Sequence, residues 1–490
     1  MALLTPDTAR MRRAPVLVRD LLALADERGF RLEDAAGREL PATRVRQAAL
    51  DTAGRLEDIA GSGDGDAVLI RVNDFVASAI AMLGTWMWGG VPVPVPLTAP
   101  PPFLAQVTAE CRPAARITPA GTDLAVAVGV PAGDPPSALT SMSAAHDIAL
   151  VLYTSGSTGT PKGILVPPEA VDFSTRSIQR YLGLTEWDRI VSPIVPHFDY
   201  GLYQLLLALA ADCALTAVPA LFVDDVIDVI RDRHGTVLPL VPSIAGPLTA
   251  RMADLRCTAE SVRLITSTGS HLGTPLIARL RDVFPRSQVM PMYGLTECKR
   301  VSYLAPPLVD GKPGSVGRPM SGVTCRVVDP DGRTVPDGET GELVVRGPNL
   351  ALGYLGDERL TDQVFRPVSG GRELWTGDLF TRDADGHLYH RGRRDDLVKV
   401  ADQRVSLREV EDALRAVPGV IDALAWVDGG TLKASVVAGP PAGDARWVKR
   451  ELRRGVRLPA MVPADVVVAE RLPAGPTGKP ARPRPASAYH

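Results

Sequence analysis

"DIALVLYTSGSTGTPKGI", residues 147–164, sets an apolar run against a loop of small hydroxyl residues closed by a lysine. The first half reads as a buried strand, because its aliphatic residues follow one another without a charge. Thr154, Ser155, Gly156, Ser157 and Thr158 come next, and Lys162 sits between Pro161 and Gly163. Small residues let backbone N–H groups approach an anion closely, hydroxyls add donors, and the lysine adds a positive charge. The sum is a cradle for phosphate. The familiar P-loop closes on Gly-Lys-Ser/Thr and opens a helix; here Gly163 follows the lysine, so no helix need start. The plain alternative is a Ser/Gly-rich surface turn, which has no call for a lysine and this hydroxyl density directly after a buried strand.

Working outward, apolar runs alternate with helical patterns. "DAVLIRV" (66–72), "DRIVSPIV" (188–195), "VRLITST" (262–268) and "QVMPMY" (288–293) read as further buried strands. "DFVASAIAMLGTW", "GLYQLLLALA" and "TPLIARLRDVF" read as helices between them. Such alternation specifies α/β architecture, with parallel sheets covered by helices. After residue 310, "GVTCRVVDPDGRTVPDGETGELVVRG" breaks into short strands with DG and GE turns, the texture of a small antiparallel β-barrel. From about 394 the order is helix, strand, strand, helix, a small α+β unit. The expected division is 1–393 for a large N-terminal domain of two helix-covered sheets plus the barrel, and 394–490 for a small C-terminal domain.

At 490 residues the chain exceeds one ordinary core. A net charge of -2 with 45% apolar residues excludes a basic nucleic-acid binder and a charged disordered chain. The cysteines, Cys111, Cys213, Cys257, Cys298 and Cys325, show no metal-ligand spacing and read as thiols in a reducing cytoplasm. The N-terminus lacks the apolar core of a signal peptide. Residues 75–97 carry no charge and have the length of a membrane span. Gly89, Gly90 and three prolines break the second half, so a buried helix over about 75–88, a turn and an extended segment fit better.

"YTSGSTGTPKG" resembles the signature of the adenylate-forming superfamily: acyl-CoA synthetases, adenylation domains of nonribosomal peptide synthetases, and luciferases. The resemblance recurs in order through "MYGLTE" (292–297), "GELVVRGPNLALGYLGD" (341–357), "LWTGDLF" (374–380), "GRRDDLVKVADQRVSLREVE" (392–411) and "PTGKPAR" (476–482), and it spans nearly the whole chain. It implies that a carboxylate attacks the α-phosphate of ATP with Mg²⁺, giving an acyl-adenylate and pyrophosphate, and that a thiol then displaces AMP. By the same resemblance Lys479 is the catalytic lysine, Glu297 holds Mg²⁺, and Thr296 contacts phosphate. Tyr293 stacks on adenine, Asp378 accepts the ribose hydroxyls, and Arg393 reaches the same ribose. Gly294 and Ser270 join the nucleotide site. Asp395 is the hinge about which the small domain, a mobile lid, swings. Many relatives carry glycine in the segment 401–403, where this chain has Ala401, Asp402 and Gln403.

The acid pocket is expected from "PHFDYGLYQ" (196–204), "TSTGSHL" (266–272) and the residues around "MYGLTECKR". Asp199 resembles the aspartate that meets a substrate amino group, although Gly201 replaces the serine usual two places later. Tyr200, Tyr203, Thr268, Gly269, Met292 and Arg300 line the pocket in this reading. His197 is either a gate or a packed residue. Arg300 either pairs with Asp199, or receives a second polar or carboxylate group of the substrate, or points to solvent with Lys299. Three functions follow. One is loading of a small amino or polar acid onto a separate carrier protein bearing phosphopantetheine. The second is a coenzyme A ligase for a small organic acid. The third is a non-catalytic adenylate sensor. None calls for nucleic acid or a membrane span.

Overall fold

The computed structural model describes residues 14–15, 18, 29–72, 74–119, 126–129, 147–155, 161–218, 223–400, 403–428, 430–439, 441–456, 459–473 and 482–483. The opening stretch is an antiparallel hairpin, Leu150–Ser155 against Pro161–Val166, with Thr154 opposite Lys162. Gly353–Tyr354 adds a third strand to it. Gly163 is needed here, because a Cβ would meet the Tyr153 ring at 3.0 Å and Leu355 Cβ at 3.2 Å.

The largest sheet has nine strands. Its order is Arg318–Pro319, Ser302–Tyr303, Gln288–Tyr293, Leu264–Ser267, Val237–Leu240, Arg189–Ser192, Ala214–Ala217, Arg31–Asp34, Glu39–Pro41. The six from Gln288–Tyr293 to Arg31–Asp34 are parallel. From Arg189–Ser192 the chain steps to one side, to Ala214–Ala217, and then returns to the other side at Val237–Leu240. This is a topological switch point, and in such sheets a crevice opens outside the carboxyl ends of the strands. The segments 193–199, 268–273 and 294–300 all leave from those ends.

A second, four-stranded sheet carries the helix Phe75–Trp88, in which all fourteen residues are buried. Asp74 caps its first turn through Ala77 N–H at 2.7 Å, and Gly89 ends it at φ 92°. The uncharged run 75–97 is therefore core. Among the described residues no helix is long and apolar enough to cross a membrane.

The region after 310 forms a five-stranded antiparallel sheet built around Gly371–Arg382. One edge of that strand carries Phe365–Val368 and then Leu388–Arg393; the other carries Gly341–Arg346. A short turn, Arg394–Asp396, and the hairpin Leu397–Val400/Gln403–Ser406 follow. The remaining chain gathers its own core, including Val410, Leu414, Ala423, Val436, Val448 and Leu452. Its helices Leu407–Arg415 and Ala445–Gly455 start at Ser406 and Asp444, whose side chains accept from Glu409 and Trp447 N–H. Its sheet pairs Val420–Asp428 with Thr431–Ala438 antiparallel, and a third strand, Asp465–Val468, which the sequence pattern does not predict, joins Thr431–Ala438 in parallel. The small unit rests on the helix Pro242–Asp254, where a Cβ on Gly246 would come within 2.5 Å of Ile421 Cγ2.

Candidate active site

One short segment, Tyr293 to Arg300, supplies three groups of functional side chains. It leaves the carboxyl end of Gln288–Tyr293, reverses, and re-enters the sheet as Ser302–Tyr303. The reversal is tight. A Cβ on Gly294 would lie 2.1 Å from the Lys299 carbonyl oxygen, and Lys299 itself adopts φ 52°. A left-handed non-glycine residue is strained and persists only where its surroundings enforce it. The buried Asn349 does so, donating through Nδ2 to the Cys298 and Arg300 carbonyls at 2.9 Å each. Sequence reasoning missed Asn349; its place in "GPNL" gives no sign of a partner fifty residues away.

At the start of the segment, the Tyr293 hydroxyl donates to Asp378 Oδ2 at 2.7 Å. The Tyr293 ring packs edge-on to Phe380, with centroids 4.8 Å apart. Asp378 is 3% exposed, with Arg393 Nε 3.4 Å and His390 Nε2 3.8 Å from its carboxylate. Burial works against its ionisation. His390, Arg393 and the Tyr293 hydroxyl nevertheless hold it below the usual carboxylate range. Asp378 Oδ1 and Arg393 Nε are buried without hydrogen-bond partners. A buried carboxylate oxygen and an N–H donor left open side by side fit a vicinal diol, as a ribose presents.

Midway, Glu297 Oε1 accepts from the Tyr354 hydroxyl at 2.8 Å. Lys162 lies 5.6 Å from the Tyr354 ring centroid. The hairpin lysine and the glutamate thus lie about one tyrosine, a cation and a carboxylate side by side that suit a phosphate and a hard cation. Glu297 alone is a sparse ligand set, suited to an ion whose remaining ligands are phosphate oxygens and water. Tyr354 was also missed, although it sits in the quoted "GYLGD". Gly156, Ser157, Thr158 and Lys479 lie outside the described residues, as do the side chains of Ser155 and Asp395 and the segment 401–402. Ser270 is exposed just after Leu264–Ser267, beside Gly269 at φ 90° and the buried Thr268.

At the end of the segment, two expectations are corrected. Asp199 pairs with Lys299, at 3.3 Å from Nζ, and not with Arg300. Neither cation faces solvent: Lys299 is 6% exposed and Arg300 2%. The left-handed turn at Lys299 sends neighbouring side chains to different partners. Lys299 Nζ lies 4.0 Å from the Tyr203 ring centroid and 5.7 Å from that of Tyr200. Arg300 Cζ lies 5.5 Å from the Tyr200 centroid, and the Tyr200 hydroxyl meets Thr266 Oγ1 at 2.7 Å. Burial pushes the Tyr200 hydroxyl up to about 12 against the pull of the Arg300 charge. Met292 accepts from the Tyr181 hydroxyl through sulfur at 3.3 Å, and Tyr181 stacks on Tyr303 with centroids 4.0 Å apart. Asp199, Tyr203, Thr296 and Lys299 border a small cavity with Leu150 and Leu152 of the hairpin. His197 is partly exposed, 4.5 Å from the Phe198 ring centroid. Gly201 has a steric reason: a Cβ there would lie 2.1 Å from the Val195 carbonyl oxygen.

Beyond the site, Arg482 holds the chain three residues after Lys479. It donates to the Ala425 carbonyl at 2.7 Å and to Glu411 at 3.1 Å, and it pairs with Asp396 next to the expected hinge.

Comparison with known proteins gives the family and the fold. Residues 32–355 match the AMP-binding enzyme family. Over 348 residues the chain is 34% identical to phosphinothricin tripeptide synthetase PhsC of Streptomyces viridochromogenes, covering 68% of this chain and 31% of that protein. It is 33% identical over 348 residues to the L-proline--[L-prolyl-carrier protein] ligase of Streptomyces coelicolor, covering 68% of this chain and 64% of that one. The chain therefore spans from about a third to just under two thirds of these relatives. The O-succinylbenzoate coenzyme A synthetase MenE of Bacillus subtilis, in complex with ATP and magnesium, superposes with a TM-score of 0.78 over 95% of this chain and 98% of that one, at 23% identity, a likeness of fold. The chain belongs to the AMP-binding enzyme family.

Proposed function

We propose that the chain adenylates a small carboxylic acid with ATP and then passes the acyl group to a thiol, most readily the phosphopantetheine of a separate carrier protein. The single observation that carries this reading is the Tyr293–Arg300 segment, which within eight residues sets Tyr293 against Asp378, Glu297 against Tyr354 and Lys299 against Asp199. The acid's carboxylate oxygen attacks the α-phosphorus, the bond to the bridging oxygen breaks, and pyrophosphate leaves. Two anions meet in this step, so positive charge at the developing oxyanion governs the rate. Lys162 serves the departing phosphates and Lys479 the attacked centre. Asp378 and Arg393 fix the ribose. Glu297 holds Mg²⁺, which supplies charge neutralisation on the phosphates. In the second half-reaction the thiol sulfur attacks the acyl carbon, AMP leaves, and the thiol proton passes to solvent.

Residues 394–490 act as a lid that turns about Asp395 and brings Lys479 to the site. Arg482, tied to Asp396 and Glu411, couples the lysine segment to that hinge. The five cysteines are thiols in the structure, in keeping with work in a reducing cytoplasm. The test is acid-dependent exchange of labelled pyrophosphate into ATP across a panel of acids. Wild-type protein should exchange with one class of acid, and Lys479→Ala should lose roughly 100-fold or more, the usual effect of removing a group that stabilises the developing charge. ATP binding with no exchange for any acid would sink the proposal in favour of a sensor.

A further inference from the structure

Arg300 is among the largest fully buried side chains of the molecule, at 2% exposure. Its Nε and Nη1 have no hydrogen-bond partner, and among the described residues no carboxylate lies within ion-pair distance of its guanidinium. Asp199 is engaged by Lys299. What surrounds the guanidinium is aromatic. The Tyr200 ring lies beneath it, and its charge bears on the hydroxyls of Tyr181, Tyr200 and Tyr203. A dehydrated cation with two open donors in an aromatic enclosure is heavily penalised unless an anion completes it. Stacking on Tyr200 offsets only a part of that.

The charges of the acid end make the same point. Asp199 and Lys299 cancel one another inside the chain. The carboxylate being activated turns towards the α-phosphate and is consumed. Arg300 is left with no ion-pair partner among the described residues, while the Asp172 charge reaches this end through Tyr203. A substrate ammonium would not meet the open guanidinium donors; a second carboxylate would.

Resting on the adenylation reading, we propose that the acid activated here is a dicarboxylic acid, amino-substituted or not, whose second carboxylate is bound by the Arg300 guanidinium. A guanidinium is the side chain best matched to a carboxylate, because its planar donors are rigid and it sheds water easily. Arg300 is then a specificity-determining residue. Asp199, already matched by Lys299, contributes orientation rather than the main electrostatic selection.

The experiment is pyrophosphate exchange with acid–amide pairs that differ by one charge: succinate and succinamate, glutarate and glutaramate, aspartate and asparagine, glutamate and glutamine. In wild-type protein the charged member of the preferred pair should exceed its amide by about 100-fold or more, because a site built around a buried donor rejects a ligand that leaves it unsatisfied. Arg300→Met should bring that ratio close to one and leave the KM for ATP unchanged. Its melting temperature should hold or rise, since an unpaired buried charge has gone; an arginine kept only for structure would show the reverse. Arg300→Lys should restore part of the ratio. Exchange in which amides or monocarboxylic acids equal the diacids overturns the inference and leaves adenylation standing. Exchange with no acid at all, where ATP still binds, overturns the adenylation reading and the inference with it.

Discussion

The two ends of the Tyr293–Arg300 segment are built on different rules. At the nucleotide end, Tyr293, Asp378, His390 and Arg393 balance one another, and only single atoms stay open, Asp378 Oδ1 and Arg393 Nε. At the acid end, Lys299 pairs with Asp199, and the Arg300 guanidinium keeps two donors, Nε and Nη1, without a hydrogen-bond partner. In the proposed reading the nucleotide's end is finished within the protein and the acid's end is finished by the substrate. The difference teaches where selectivity resides: in the unmatched charge, not in the groups that match.

The strongest way to break this comparison is at Asp378. Asp378→Ala removes the ribose acceptor and strands Arg393. Each charge-assisted hydrogen bond lost costs about 1.5–3 kcal/mol, so exchange should fall by about 100-fold, chiefly through the KM for ATP. The loss should be equal for every acid tried. A loss that depended on the acid would mean that the two ends are not separate.

A smaller effect is expected at Lys299. Lys299→Met keeps the volume against Tyr203 and removes the Lys299 charge that pairs with the half-buried Asp199. Thermal or urea unfolding should show a loss of about 3 kcal/mol. Asp199→Asn in the same chain should recover much of it, because the stranded charge is then gone. If Lys299→Met is neutral, the Asp199–Lys299 pair is not what balances the acid end.

The smallest effect concerns the seam between the site and the small unit. Burial, with Arg408, Arg415 and His390 acting in the same sense, depresses His271 to about 4 against the pull of Asp412. An undocked or unfolded histidine titrates near 6.5. The undocked state therefore takes up a proton that the docked state refuses. Docking is fully supported above about pH 6.5 and weakens as pH falls towards 4. Protection of the helix Leu407–Arg415 against hydrogen exchange, corrected for the intrinsic pH dependence of the exchange rate, should fall between pH 7 and pH 5, and His271→Gln should flatten that dependence. An unchanged slope in the variant would move the effect to another group.

Much of this was legible in the sequence, for physical reasons that vary along the chain. Parallel strands buried on both faces read as apolar runs, so Gln288–Tyr293 and Leu264–Ser267 were plain. Phe75–Trp88 was equally plain, bounded by Asp74 and Gly89. Asp465–Val468 was not, because one of its four residues is buried and it pairs at an edge. That Tyr293 and Asp378 would be named together was legible because they occupy motifs that recur in order, and the structure brings them to 2.7 Å. Asp199, Lys299 and Arg300 were legible as residues and illegible in their pairing. Lys299 and Arg300 are neighbours, and only the left-handed backbone at Lys299, held by Asn349, decides which of them meets Asp199. No pattern in the sequence announces a positive φ at a lysine.

The most direct test measures pyrophosphate exchange for wild type, Asp378→Ala and Arg300→Met side by side, with one diacid and its amide. Asp378→Ala should lower both substrates by the same factor and raise the KM for ATP. Arg300→Met should lower the diacid alone, with ATP unaffected. If both variants lower both substrates equally, the division of the site into a matched nucleotide end and an unmatched acid end is wrong.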